Sequence, residues 1–232
     1  MSFSFDGVND TLTGTFASTY ANPVTLACFI KVNHHPSQVD EVMVLGNIAG
    51  SNNDRYNLQI LITPNQYSAR LVDAAGLGSG ATIDYSIDGV WAAYVGVYTT
   101  DALRDVYVLS PAHTAQDTVN RSPSDTLQFI RLGETLAGGN DYTGKIAEAA
   151  IWTKALSLAE VTNYMAGRKA STISPGNLIG YWPLAAAGAT QANQGLDADG
   201  LLTVTGATFD ADHPIITTVA PMAMPRYQFL SA

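Results

Sequence analysis

The chain contains four glutamates, Glu41, Glu134, Glu148 and Glu160, and their spacing is the first test for hydrolytic chemistry. Glycoside hydrolysis needs two carboxyl groups about 5–5.5 Å apart for retention, or wider for inversion. No two of these glutamates lie within six residues of each other, so any pair has to be assembled from distant segments. The aspartates offer different chemistry. Asp6 with Asp10, Asn140 with Asp141, and Asp197-Ala198-Asp199-Gly200 are hard oxygen donors in turn-like settings, the ligand type that calcium takes. The last run lacks the third acidic position and the distal Glu of an EF-hand loop. Asp, Asn and Gly are also the ordinary residues of turns, and that reading is preferred. Asp6, Asp141, Asp197 and Asp199 stand as the candidate calcium ligands, and no other cofactor is expected.

Other reactive residue types lack a supporting pattern. His34, His35, His113 and His213 show no metal-ligand spacing. Cys28 is the only cysteine, and "LACFIKV" places it among apolar strand residues, as a small buried thiol. Ser79 has no nucleophile-elbow context. "GLGSGA" (76–81) fits the G-x-G-x-x-A pattern of nucleotide folds, but a strand-like run follows where a helix would be needed, so it reads as a hairpin loop. Trp91, Trp152 and Trp182 could stack sugars, yet in alternating strands a large aromatic is more often core.

The totals exclude further classes. Of 232 residues, 47% are hydrophobic and 13% charged, with 20 acidic against 11 basic residues. A net charge of −9 with no Lys/Arg run argues against nucleic acid, whose affinity comes mainly from cations replacing phosphate counterions. No apolar run approaches the ~18 residues that span a bilayer, and "MSFSFDGVND" carries no leader pattern. The expectation is a soluble, cytoplasmically made protein that binds neither membrane nor nucleic acid.

The elements that would position these residues are mostly strands. In "YNLQILI", Tyr56, Leu58, Ile60 and Ile62 share one face, and Asn57 and Gln59 the other, which reads as wet. In "TIDYSIDG", Ile83, Tyr85 and Ile87 alternate with polar residues. Similar segments recur at 24–32, 41–48, 66–73, 91–100, 104–110, 127–133 and 177–184, separated by turn clusters. Many short strands at near-regular spacing predict an all-β sandwich or barrel in one domain. One helix interrupts them, over 157–167. Ser157 and Glu160 form a capping box, and Leu156 and Val161 a hydrophobic staple. Leu158, Val161 and Met165 make an apolar stripe, and Gly167 is placed to end the helix.

"SFDGVNDTLTG", "PVTLACFIKV", "WAAYVGVY", "GKIAEAAIWTKALSLAEV" and "LIGYWPL", in that order, resemble a laminin-G-like domain of the concanavalin A-like lectin/glucanase superfamily. The resemblance implies a jelly-roll sandwich of two antiparallel sheets with the helix as an accessory. It also implies a departure. Ala147-Glu148 stands where such domains often carry an Asp-Glu pair, and the Glu-x-Asp-x-x-Glu strand of glycosidases on this fold is missing. A non-enzymatic protein is therefore expected.

Residues 1–209 form the sandwich, and 210–232 an extended, proline-rich arm. The arm's apolar residues, Ile215, Ile216, Val219, Met222, Met224, Tyr227, Phe229 and Leu230, suit a partner surface, on this sandwich or a neighbouring chain. A laminin-G-like domain with such a tail resembles structural proteins of tailed-phage particles. The role this implies is a capsid decoration (cement) protein in the virion. Its partners would be the major capsid protein and further copies of itself. The alternative is a carbohydrate-binding, lectin-like module of a tail fibre or other receptor-binding structure.

Overall fold

The computed structural model describes residues 1–32, 39–47, 52–61, 66–123 and 126–216. His34, His35 and the arm residues from Val219 to Leu230 lie outside them. The first half of the chain forms β1 (Ser2–Asp6), β2 (Thr11–Tyr20), β3 (Val24–Val32), β4 (Asp40–Gly46), β5 (Arg55–Leu61), β6 (Gln66–Val72), β7 (Gly78–Asp84) and β8 (Trp91–Thr100). Next come β9 (Leu103–Val108), β10 (Ser110–Asp117), β11 (Leu127–Leu132) and β12 (Thr143–Trp152). Helix α1 (Leu158–Met165) precedes β13 (Leu178–Trp182), β14 (Thr190–Gln191), β15 (Leu202–Thr205) and β16 (Thr208–Asp210).

These strands make two eight-stranded antiparallel sheets packed face to face, the expected jelly-roll sandwich. The first runs β10-β9-β8-β3-β12-β1-β16, with β13 also on β12; the second runs β14-β15-β2-β11-β4-β5-β6-β7. Among the described residues no helix is long and apolar enough to cross a membrane.

Between the sheets lies a continuous apolar core that includes Cys28, Leu58, Ile146 and Trp182. Tyrosines cross it. The Tyr98 hydroxyl donates to the Asn57 carbonyl at 2.8 Å, and the Tyr94 hydroxyl shares its proton between the carbonyls of Gln59 (2.8 Å) and Ser68 (2.7 Å). Three strands, β8, β5 and β6, are thereby tied across the sandwich.

The outer face of the first sheet is covered as well. Ala27, Phe29, Val95, Ala150 and Trp152 point away from the main core and pack under α1 through Val161 and Tyr164. A bulge in β12 makes this phase possible. Ile146 and Ala149 both face the main core, three residues apart, because Glu148 is inserted with φ +51°. Trp152 Nε1 donates to the Ile173 carbonyl (2.8 Å) and Trp182 Nε1 to the Gly200 carbonyl (2.7 Å). Both are core, as expected; Trp91 is only half-buried.

The helix ends follow the sequence. Ser157 is the N-cap, its hydroxyl accepting from Glu160 N–H, while the Glu160 carboxylate accepts from Ser157 N–H at 2.8 Å. At the other end Gly167 N–H donates to Tyr164 O and Arg168 N–H to Asn163 O, both about 3 Å, with Gly167 at φ +82°. The apolar stripe is different from the expected one. Val161 and Tyr164 are buried, whereas Leu158 is 58% exposed and Met165 half-buried. Leu158 sits at the first helical position, turned off the sheet, and Tyr164 takes its place three residues beyond Val161.

Two other expectations are corrected. "GLGSG" is not wholly a loop, since its Gly78 opens β7. On β5, Asn57 and Gln59 are not wet; Asn57 is fully buried and Gln59 nearly so. Asn57 Nδ2 donates to Glu41 (2.6 Å) and to Gln59 Oε1 (3.0 Å), and Arg55 reaches the other Glu41 oxygen at 3.3 Å. These bonds engage both Glu41 oxygens, Asn57 Nδ2 and Gln59 Oε1, which offsets much of the cost of burial, while Asn57 Oδ1 and Arg55 Nε are buried without a hydrogen-bond partner among the described residues.

The cap and the buried face of α1 are open to a direct test. Ser157→Ala removes the cap and lowers unfolding free energy by about 1 kcal/mol. Leu158→Ala changes it by less than about 0.5 kcal/mol, as exposed positions do. Denaturant titration of the two variants separates this packing from the stripe read in the sequence.

Candidate functional site at the root of the C-terminal segment

Register places three long side chains in one row on the outer face of the first sheet. Trp91 of β8 is opposite Lys31 of β3, and Lys31 is opposite Lys145 of β12. Two neighbouring ammonium groups repel unless an anion lies between them, and the chain supplies it just after β16. The Asp212 carboxylate accepts from Lys31 Nζ at 2.8 Å, Trp91 Nε1 at 3.0 Å and Lys145 Nζ at 3.1 Å; Asp210 adds a contact to Lys145 at 2.9 Å. Hydrogen bonds from Lys31 and then Trp91 hold the Asp212 carboxyl well below the usual carboxylate range. The Ser2 hydroxyl donates to the Asp212 carbonyl at 2.7 Å, and Asp212 N–H to Asp210 at 2.8 Å.

Beyond this anchor the chain runs along the end of α1. A Cβ on Gly167 would lie 2.5 Å from the Ile215 carbonyl, so the close approach itself requires glycine there. Ile216 packs on the cluster beneath the helix, while Ile215 is 84% exposed. Between the segment and the sheet lies an open groove of about 400 Å³, lined by Phe29, Trp91, Met165, Gly167, His213 and Ile215 among others. Residue 210, at the start of the expected arm, is thus paired in β16, and residues 211–216 continue along the sandwich. Sequence reading missed the Asp212 anchor. Its only signal was the alternation that puts Lys31 and Lys145 on the same face as apolar neighbours.

The candidate calcium ligands divide between two places. Asp6, Asp10 and Asp141 gather around the β1–β2 turn. There Asp10 accepts from Asp6 N–H (2.7 Å), Asp6 from Val8 N–H (2.8 Å) and Asp141 from Asn9 N–H (3.3 Å). Burial, then the charge of nearby Glu134, raises the Asp141 carboxyl. Asp197 accepts from the Tyr20 hydroxyl at 2.7 Å and from Asp199 N–H at 3.2 Å, as a turn residue does. Among the described residues no group of three His, Cys, Asp or Glu side chains could hold a metal ion.

Each glutamate has a partner other than a carboxyl group. Glu41 is buried against Arg55 and Asn57; Glu134 pairs with Arg131 at 3.0 Å; Glu148 accepts from the Tyr181 hydroxyl at 2.5 Å; Glu160 serves the cap and Lys154. Asp40, whose carboxylate meets Thr143 N–H, is also strongly perturbed. It is almost fully buried, and burial raises it to about 7, against the hydrogen bond it accepts from Thr143 N–H.

The fold now has a family. The chain belongs to a laminin-G-type family of the concanavalin A-like lectin/glucanases superfamily, matched over residues 6–162. Among solved structures, it is similar to a putative carbohydrate binding protein from Bacteroides ovatus ATCC 8483 (16% identity, TM-score 0.62). That match covers 89% of this chain and 58% of the other. It is also similar to the native heptameric SAP-like pentraxin from Limulus polyphemus (17% identity, TM-score 0.56, 71% of this chain and 81% of the other). The CBM40 of the Ruminococcus gnavus IT-sialidase, bound to alpha2,3 sialyllactose, matches at 12% identity and TM-score 0.53, over 71% of this chain and 98% of the other. No curated protein sequence matches the chain. At these identities the likeness is one of fold, a lectin-like sandwich.

Asp40 carries the prediction. Its carboxyl stays protonated in the folded state to about pH 7, but only to about pH 4 when unfolded. Its raised value therefore costs nothing below about pH 4, and stability falls as pH rises through about 7. Asp40→Asn is expected to melt with wild type at pH 4 and above it at pH 8, by on the order of 5 °C. Thermal melts across that range check the sign.

Proposed function

We propose that this protein is a non-enzymatic structural protein of a bacteriophage particle. In this reading it is a decoration (cement) protein on the outside of the capsid that bridges neighbouring shell subunits. The carrying observation is the C-terminal segment. A run of apolar residues in the sequence, Ile215, Val219, Met222, Met224, Tyr227, Phe229 and Leu230, follows a point stapled by Asp212 to Lys31, Lys145 and Trp91. Burying one large apolar side chain contributes roughly 1.5–3 kcal/mol, so even part of this run can hold a joint between subunits. The anchor matters because a segment that starts from a fixed point loses less freedom on docking. Ile216 already packs on its own sandwich, which leaves Ile215 and the residues after it for the partner. The partners in this reading are the major capsid protein and neighbouring copies of this chain, and the location is the virion. The separate engagement of all four glutamates supports the non-enzymatic part.

A second reading is a carbohydrate-binding module, such as one in a tail fibre. It is favoured by the lectin-like sandwich, shared with the putative carbohydrate binding protein and the CBM40 named above.

The test of the first reading is sedimentation of the full chain and of a chain ending at Ile216 with particles from native lysate. The full chain is expected in the particle fractions at a copy number comparable to the main shell protein. The shortened chain should melt with the full one and remain at the top of the gradient. A full chain that stays at the top, or a shortened chain that still travels with particles, overturns the reading.

A further inference from the structure

At the end of the first sheet opposite the Asp212 anchor, the β8–β9 turn and the segment leading into β3 form a polar cleft. Asn22, Thr99, Thr100, Asp101, Ala102 and Asn120 line about 460 Å³, and a smaller hollow of about 140 Å³ continues from Asn22 and Asp101 past Ser122. Five of the first six lining residues carry a hydroxyl, amide or carboxylate, and none is a large apolar group.

A buried cation shapes both walls. Arg104 is fully buried. Its guanidinium donates to the carbonyls of Asp101 (3.3 Å), Ser79 (3.3 Å) and Val119, and pairs with Asp117 at 3.3 Å. Asp101 stands on one rim, and Val119 precedes Asn120 on the other. Arg121 N–H also donates to the Asp101 carbonyl at 2.9 Å, joining the rims a second time. Burying a charge is costly unless it is paired and hydrogen-bonded, and here that arrangement holds two loop tips in fixed relation. On this frame Asn22 Nδ2 donates to Asp101 Oδ1 at 2.7 Å. The Asn22 Oδ1 atom faces inward with no hydrogen-bond partner among the described residues, and Asp101 Oδ2 makes no hydrogen bond with them.

We infer that this cleft is a subsite for a neutral saccharide, with the Asp101 carboxylate and the Asn120 amide reading neighbouring hydroxyl groups of one sugar ring and Asn22 Nδ2 holding the Asp101 carboxylate in place. The chemistry selects the ligand. A carboxylate that accepts beside an amide suits paired hydroxyl donors and acceptors. The single carboxylate repels an anionic sugar, and one acid is too few for a divalent cation, which takes six or more oxygen ligands. The pre-set walls reduce the ordering cost of binding. The proposal rests on the carbohydrate reading above and extends it. β8 runs ten residues from Trp91 beside the anchor to Thr100 at the cleft, about 30 Å. A chain held to a particle through its C-terminal segment therefore keeps this cleft at its far end.

The experiment is a titration of the full chain with the methyl glycosides of glucose, galactose, mannose and N-acetylglucosamine and their disaccharides, read by amide chemical shifts. At least one neutral sugar is expected to move Asn22, Asp101 and Asn120. Asp101→Asn, which keeps the shape, should weaken it about tenfold, and Asn120→Ala, at an exposed site, severalfold. If no sugar binds, the carbohydrate reading and the cleft both fail. If a sugar binds with its shifts elsewhere, or binds Asp101→Asn and Asn120→Ala as tightly as wild type, only the cleft assignment is overturned. Matching thermal melts show that a loss of binding is not a loss of fold.

Discussion

Every other feature of the molecule depends on how β8 is fixed against the opposite sheet. A sandwich held by apolar contact alone tolerates sliding, because dispersion and hydrophobic burial are non-directional. Tyr94 and Tyr98 add direction. Their hydroxyls lie in the core and find partners only at the backbone carbonyls of Asn57, Gln59 and Ser68. A displaced β8 would leave those hydroxyls buried without partners, at about 1–3 kcal/mol each. Aromatic packing reinforces the alignment, with Tyr56 against Tyr98 at 4.8 Å and Tyr67 edge-on to Tyr94 at 5.6 Å.

With β8 set, its two ends are set too. Trp91 meets Lys31 and Lys145 at one end, where the C-terminal segment is stapled; Thr99 and Thr100 lead into the cleft at the other. The two buried or half-buried electrostatic devices differ in kind. Asp212 bridges two lysines at a partly exposed site, where screening limits its worth but its geometry directs the chain. Arg104 is enclosed and bonds the carbonyls of Ser79 on β7 and of Asp101 and Val119 in loops, and pairs with Asp117, so it acts as a rigid template.

The outer face of the first sheet shows why a β protein carries one helix. Phe29, Val95, Ala150 and Trp152 would leave a wide apolar surface in water. α1 covers it with two residues, Val161 and Tyr164, and the Tyr164 hydroxyl bonds the Glu148 carbonyl at 2.6 Å. That contact lands on the β12 bulge at Ala147-Glu148. Glu148 is thereby a structural residue, its carboxylate held by Tyr181.

Much of this was legible in the sequence. Alternation marked β3, β5 and β8 because one face of each is continuously apolar, and the Ser157–Glu160 box with Gly167 marked both ends of α1 because caps are local chemistry. Burial of Cys28, Trp152 and Trp182 followed from their apolar neighbours. β2 and β10 were not legible: "TLTGTFASTY" and "SPAHTAQD" have few large apolar residues, and only pairing with β11 and β9 makes them strands. Asn57 and Gln59 read as wet since polarity alone does not reveal that Glu41 and Arg55 come to meet them. The Asp212 anchor joins residues up to 210 positions apart, and the cleft joins Asn22 to Asp101 across β3 and β8. Periodicity and capping are short-range and are written in the chain. Which polar groups meet over such separations depends on sheet register, and register exists only once the sandwich has closed.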